Sequence, residues 1–360
     1  MRRWLAGLVL LGLVIGLAWT GRVDEETVPA VNPPVPEPSR RVSLVAVGDI
    51  MLARHVERLM QTHGTDYPFA KIEDKLQDAD IAFGNLESPL SERGTPLPGK
   101  GICFRARPEM ASRLKKAGFD VLSVANNHAL DYDTDAFLDT LDLLRSNQIE
   151  PVGGGKNIDE ARQPVIIEKN GLRIGFLAYT MFADIYYDYR YRRTFRATET
   201  VSGGAPLEQE LILEDVAALR PRVDAVIVSL HWGTEYSRYP DPGQQELGRA
   251  LIDAGADLII GHHPHVIQGL ERYGNGLIAY SLGNFIFDQN QHLSTRQGLI
   301  LELQLTADGL SDLRVWPIFI QKSQPYVMEG QQAREFLQIV QECTHKLGTE
   351  AAIHDNSLVL

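Results

Sequence analysis

Apolar residues in this chain fall in short β-branched runs, separated by longer stretches with helical period, and run after run ends on a polar residue. Val42-Ser43-Leu44-Val45-Ala46-Val47 reads as a strand ending at Gly48-Asp49, with a helix expected over 52–61. A strand at 80–83 ends at Gly84-Asn85-Leu86-Glu87, and one at 121–124 delivers Asn126-Asn127-His128. Helices are predicted over 108–117, with Pro108 in the first turn and Gly118 as the stop, and over 134–146. The second half follows the same order, with strand 172–179, helix 207–219, strand 225–230 delivering His231, helix 244–254, and strand 257–260 delivering Gly261-His262-His263-Pro264-His265. After residue 277 strands follow one another without helices to about 319, and a terminal helix is expected over 334–346. Residues 180–205, rich in Tyr, Arg and Gly without a period, read as a surface excursion near the site.

This alternation predicts one α/β domain over 41–325, mixed rather than purely parallel, with helices outside and a C-terminal helix and tail over 326–360. The polar residues sit just past the carboxyl ends of strands, where open α/β sheets bind ligands.

The first forty residues follow different rules. Arg2-Arg3 precede an uncharged apolar run from Trp4 to Gly21, about the minimum for a membrane-spanning helix. The basic pair on the short side predicts a signal-anchor over 1–21, a single pass with the bulk of the chain outside the cell membrane. Secretion after signal cleavage is the alternative, although no small-x-small site stands near Ala18-Trp19-Thr20. Residues 22–40 carry Pro29, Pro33, Pro34, Pro36 and Pro38, a semi-rigid linker.

With 360 residues, 44% hydrophobic content and a net charge of −12, the chain can bury a substantial core and does not suit nucleic acid as a partner. An anionic substrate is not excluded, because bound metal reverses the local field. Cys103 and Cys343 lie far apart in sequence and are expected as free thiols.

Three imidazoles in four positions, His262, His263 and His265, form a density typical of a metal site. Together with Asp49, Glu87, Asn127-His128 and His231 at other strand ends, they can surround two divalent ions with mixed oxygen and nitrogen ligands. A nearby protonated histidine could then serve the leaving oxygen. Each residue alone has a plainer reading: Asp49 as a helix cap, Glu87 as a loop acid, Asn127 in an Asx turn.

The motifs Gly48-Asp49-Ile50-Met51-Leu52, Asn85-Leu86-Glu87-Ser88-Pro89-Leu90, Ala125 to Tyr132, His231 to Tyr236, Gly261 to Gln268 and Tyr280 to Phe285 resemble those of the CapA family. These are bacterial capsule and poly-γ-glutamate synthesis proteins, a branch of the calcineurin-like metallophosphoesterase superfamily. The likeness covers about residues 41–305. It implies a layered α/β/β/α sandwich of the metallophosphoesterase type, behind an N-terminal membrane-anchor helix. By position, Asp49 and His265 would hold one metal, and Asn127, His231 and His263 the other, with Glu87 bridging and His128 as proton donor. His262 has no counterpart.

The chain departs from the superfamily where Met51 replaces a histidine, Glu87 an aspartate, and Asp133 a glycine. The expected cofactors are two divalent ions, Mn, Fe or Zn. Glu235, Tyr236 and Asn284 are expected to contact substrate, with a capping or salt-bridge role open for Glu235 and a turn for Asn284, and Trp232 either lines a groove or packs in the core. The implied partners are an anionic cell-envelope polymer or phosphorylated envelope substrate, and polymer synthetase or exporter proteins of the membrane. The implied function is metal-dependent hydrolysis of phosphoester type in envelope polymer assembly. The alternative is a non-catalytic, metal-stabilised export or anchoring component.

Overall fold

A computed structural model describes residues 40–360, and Gly16 alone before them. The expected anchor over 1–21 and nearly all of the linker over 22–40 therefore lie outside the described residues. Among the described residues no helix is long and apolar enough to cross a membrane.

The first half builds four parallel strands, β1 (Arg41–Ile50), β2 (Ile81–Leu86), β3 (Val121–Ser123) and β4 (Glu150–Val152). Between them run α1 (Arg54–His63), α2 (Glu73–Gln77), α3 (Met110–Lys116) and α4 (Asp133–Ser146). A small ladder of β5 (Gly154–Gly155) and β8 (Gly203–Gly204) flanks α5 (Ile158–Arg162), β6 (Val165–Lys169) and β7 (Leu172–Thr180). Next come α6 (Gln209–Leu219), β9 (Ala225–His231), α7 (Pro242–Asp253), β10 (Leu258–His262), β11 (Leu270–Tyr273) and β12 (Gly276–Ala279). The chain ends with β13 (Asn284–Ile286), β14 (Gln297–Thr306), β15 (Gly309–Gln321), β16 (Gln324–Val327), α8 (Gly330–His345), β17 (Ala352–His354) and β18 (Ser357–Val359).

These strands form two large sheets. One runs β17-β18-β15-β14-β1-β2-β3-β4, with β13 on β1 and β16 on β15; the other runs β11-β12-β10-β9-β7-β6. Period-two alternation decides how they pack. Val42, Leu44 and Ala46 of β1 join Phe83, Ile174, Phe176, Ile227, Leu258 and Ile260 in a core between the sheets. Val45 and Val47 face the other way, onto Met60, Leu76, Leu114 and Leu141 of the first four helices. Val226, Val228 and Ile259 on the outer side of the second sheet meet Ile212, Val216 and Leu251 of α6 and α7. The result is an α/β/β/α arrangement.

Not every helix lies outside, as the alternation predicted. Ala333, Phe336, Leu337 and Val340 of α8 join the core between the sheets, where the helix touches β11 of one and β15 and β18 of the other. The tail after it is not loose either, since β17 and β18 extend the larger sheet through β15. Residues 39–360 accordingly group as one unit. Cys103 and Cys343 are both free.

Candidate metal centre

The side-chain direction of Asp49 comes from an irregularity in β1. Ala46 pairs with Phe83, but Asp49 pairs with Asn85, so β1 spends three residues where β2 spends two. Such an extra residue flips the parity of everything beyond it. Asp49 thereby turns to the inter-sheet side with Asn85 and Glu87 instead of facing the helices. Gly48 makes room: a Cβ there would lie 1.8 Å from the carbonyl oxygen of Gly283, which accepts the Asp49 amide at 3.0 Å.

From the other sheet, β9 and β10 end side by side, with His231 in register with His262. The chain then turns through His263 at φ 96° and His265 at φ 58°, a left-handed conformation that non-glycine residues adopt at a cost of about 1–3 kcal/mol each. Gly261 allows the close approach, since a Cβ would meet the Tyr280 carbonyl oxygen at 1.9 Å.

The strand ends converge. Asp49, Glu87 and His231 offer ligand atoms within 4.8 Å of one another, all buried. His265 Nδ1 is 3.5 Å from Asp49 Oδ2, and His231 Nε2 is 3.5 Å from Glu87 Oε1 and 2.9 Å from Asn127 Oδ1. The rings of His231 and His263 are 4.9 Å apart, with Phe182 against both. Asn85 ties the carboxylates together, its Nδ2 donating to Asp49 Oδ1 at 2.9 Å and Glu87 Oε1 at 3.3 Å.

Burial opposes the charge on Asp49, but His262 and His265 beside it outweigh this and hold its pKa well below the usual carboxylate range. Burial, then the charge of Asp49, push Glu87 well above its ordinary value. Burial drives His231 well below its ordinary value and His263 to about 3, so both imidazoles keep their lone pairs at neutral pH. His265 runs the opposite way: burial disfavours its proton, yet Glu87 and Asp49 raise it to about 9.

Glu87 Oε2 and His263 Nδ1 are buried without hydrogen-bond partners. Such orphaned atoms are costly unless something else binds them, and neutral imidazoles with crowded carboxylates are the donor set that Zn, Mn or Fe takes. The residues present fit a divalent metal.

His128 stands at the edge of this group. Its backbone amide donates to Asn126 Oδ1 at 3.0 Å, and its Nδ1 pairs with Asp131 Oδ2 at 2.7 Å. Lys100, nearly buried, bonds Asp131 Oδ1 and the carbonyl of Asn127, with Nζ 3.4 Å from His128 Nδ1. Burial lowers His128 to about 4; Asp131 works against that shift and Lys100 with it. The ring is therefore neutral at pH 7, where the sequence suggested a protonated donor.

Of the three expected substrate contacts, Glu235 and Tyr236 are exposed at the rim, the Tyr236 ring 6.4 Å from that of His265. Asn284 is fully buried, its Oδ1 2.9 Å from His265 Nδ1 and its Nδ2 donating to the Thr295 carbonyl at 2.9 Å, contacts that orient His265. Trp232 is buried, its Nε1 donating to the Tyr280 carbonyl at 3.0 Å. Met51 is buried too, and its sulfur accepts the Ala53 amide at 3.1 Å.

Three residues escape motif reading. His262 puts Nδ1 3.3 Å from Asp49 Oδ1, although neither ring nitrogen is aligned for a hydrogen bond. The alternation Leu258, Ile260, His262 is the available signal. Asn85 can be found from the same period in β2, whereas nothing local marks Lys100.

The sequence profile of a family described as "Bacterial capsule synthesis protein PGA_cap" matches residues 43–289. The capsule biosynthesis protein CapA of Bacillus anthracis is 33% identical over 320 residues, 87% of this chain and 74% of that protein. The PGA biosynthesis protein CapA of Bacillus subtilis (strain 168) is 32% identical over 319 residues, 88% of this chain and 80% of that one. A probable polyglutamine synthesis accessory protein of Mycobacterium tuberculosis is 28% identical over 332 residues, 87% of this chain and 85% of its own length.

Proposed function

The chain belongs to the PGA_cap family of bacterial capsule synthesis proteins, and we propose that it serves capsule or poly-γ-glutamate synthesis through a metallophosphoesterase-type hydrolytic centre. The observation that carries the chemistry is the buried meeting of Asp49, Glu87 and His231. Asp49 and His265 would hold one divalent ion, and Asn127, His231 and His263 another, with Glu87 between them. Bound there, such ions supply charge for a scissile phosphoryl or carbonyl group and lower the pKa of water.

The chain's own residues do the rest. Asn85 fixes both carboxylates, and Asn284 fixes His265. Asp131 occupies Nδ1 of His128, so Nε2 is the atom at which a proton would pass to or from substrate. The domain is held outside the cell membrane by its N-terminal segment, a location supported by Arg2-Arg3 ahead of the apolar run and by the proline-rich linker. Its substrate is an anionic envelope polymer or a phosphorylated envelope precursor, met beside the polymer's synthetase or exporter.

One observation favours a second reading, a metal-stabilised assembly component without catalysis. Met51 has its sulfur engaged by Ala53, which leaves the Asp49 side with one ligand fewer than the superfamily pattern.

Two variants separate the readings. His128→Ala should keep metal and fold but lower phosphoester hydrolysis by about 10²–10⁴-fold, and less with a nitrophenolate leaving group. Glu87→Ala should lose metal. Hydrolysis untouched by His128→Ala would end the catalytic assignment, and capsule restored by His128→Ala but not by Glu87→Ala would favour the assembly reading.

A further inference from the structure

Arg54, the first residue of α1, adopts φ 53°, a left-handed conformation unusual for a side chain of this size. Asp288 anchors it, pairing with Nη2 through one carboxylate oxygen and accepting the His55 amide at 3.1 Å with the other. The guanidinium carbon lies 4.5 Å from the centre of the Phe104 ring and 5.9 Å from that of Phe287. Those rings lead straight to the metal centre. Phe104 stacks on His128 at 4.0 Å, and Phe287 packs on His265 at 4.8 Å. The cation thus stands one ring removed from each of two site histidines, with its side chain 35% exposed.

Asp288 is the only hydrogen-bond partner of the guanidinium among the described residues, and Nε has none. An arginine carries five donors in a rigid plane; with Nε buried and Nη2 paired to Asp288, the donors left for a ligand are those remaining on the two terminal nitrogens. The Phe104 ring, with Phe287 farther off and nearly perpendicular to it, helps to hold the guanidinium before any ligand arrives. Acidic groups are also near, since the centre holds Asp49 and Glu87 and Glu235 lies on the rim of a chain with a net charge of −12. A fixed cation at that place suits an incoming oxyanion.

We propose that Arg54 binds an oxyanion of the substrate, a carboxylate or phosphate group, at the mouth of the metal centre. The inference rests on the metal-centre reading above. Asp288 holds the guanidinium in position, and the ligand takes the unpaired donors. Arg54 is a binding residue and not a metal ligand, so metal content and anion affinity separate in its variants.

The test uses the full chain loaded with Mn(II). Metal content is measured first, and inorganic phosphate and a γ-linked glutamate oligomer are then titrated by calorimetry. Arg54→Met should retain the metal and lose about tenfold or more in affinity for at least one of the two anions, the worth of one charge-assisted hydrogen bond. Arg54→Met/Asp288→Asn, which leaves no buried carboxylate unpaired, should lose as much. Arg54→Lys keeps the ion pair but not the fork, and should fall in between. The anion that depends on Arg54 identifies the source, polymer carboxylate or phosphate. Metal-loaded variants that bind both anions like the wild type overturn the proposal, as does a metal-loaded wild type that binds neither. A wild type that takes up no metal overturns the underlying reading, and the proposal falls with it.

Discussion

Replacing Lys100 by Met measures how the surroundings of His128 are held together. Lys100 Nζ and Asp131 form an ion pair almost wholly out of water, with side-chain exposures of 5% and 0%. At the roughly 2.8 Å usual for a charge-assisted hydrogen bond and an effective dielectric constant of about 20, such a pair attracts by roughly 6 kcal/mol, most of which offsets the cost of drying both groups. Removing one partner of a buried pair costs about 3–5 kcal/mol, because the other is left uncompensated. Asp131 would still accept from His128 Nδ1 at 2.7 Å and the Phe104 amide at 2.6 Å, so the low end is expected. We predict a loss of about 3 kcal/mol in urea unfolding, partly recovered in Lys100→Met/Asp131→Asn. The same variant has a second readout. Burial holds His128 near 4, with Asp131 raising it and Lys100 lowering it, so removing Lys100 must move its titration upward. The proton NMR titration of the His128 ring measures this. A stability change under about 0.5 kcal/mol, or a His128 pKa that stays or falls, refutes the assignment of Lys100 as the partner that holds Asp131.

Three other outcomes are expected. His231→Ala and His263→Ala should lower bound metal and the thermal stabilisation by added Mn or Zn together, whereas His345→Ala on the C-terminal helix should change neither, by elemental analysis and thermal melts. In metal-free protein, His128 and His263 titrate near 4 and near 3 when folded and near 6.5 when unfolded. The unfolded chain therefore binds more protons, and stability should fall as pH drops from about 6.5 towards 3. His265, raised to about 9, has the opposite sign and adds stability below about 6.5 that is lost as pH rises through 9; a melting series without metal shows whether both limbs exist. Gly48→Ala must push its Cβ against the Gly283 carbonyl, and should cost about 3 kcal/mol in denaturant unfolding, with loss of metal uptake.

The central strands can be read from the sequence because each is a buried apolar run with its own polar terminus, as in β1, β9 and β10. β6 is not legible because Val165–Lys169 is a half-exposed edge strand with no clean alternation, and β17 and β18 are short strands that pair only through β15. The helix expected from residue 52 begins at Arg54, since Met51 and Leu52 remain in the buried core beside the sheet. Ligand candidates at strand ends are legible as residue types. Their neighbours are not: Asn85 matters through its register with Asp49, Lys100 through a contact 31 positions away, and Asn284 through a turn that brings it to His265. Those relations exist only between elements.

β1 has a consequence for how the domain can be mounted. It enters the sheet at Arg41 and delivers Asp49 at its other end, eight residues and about 26 Å later at the usual strand rise. Whatever the chain carries before residue 40 thus joins at the end of the central strand opposite to the metal centre. A load borne by that junction runs along a strand hydrogen-bonded on both sides, to β14 and to β2, before it reaches the ligands. A pull applied at Arg41 is shared with two neighbouring strands before any of it reaches Asp49.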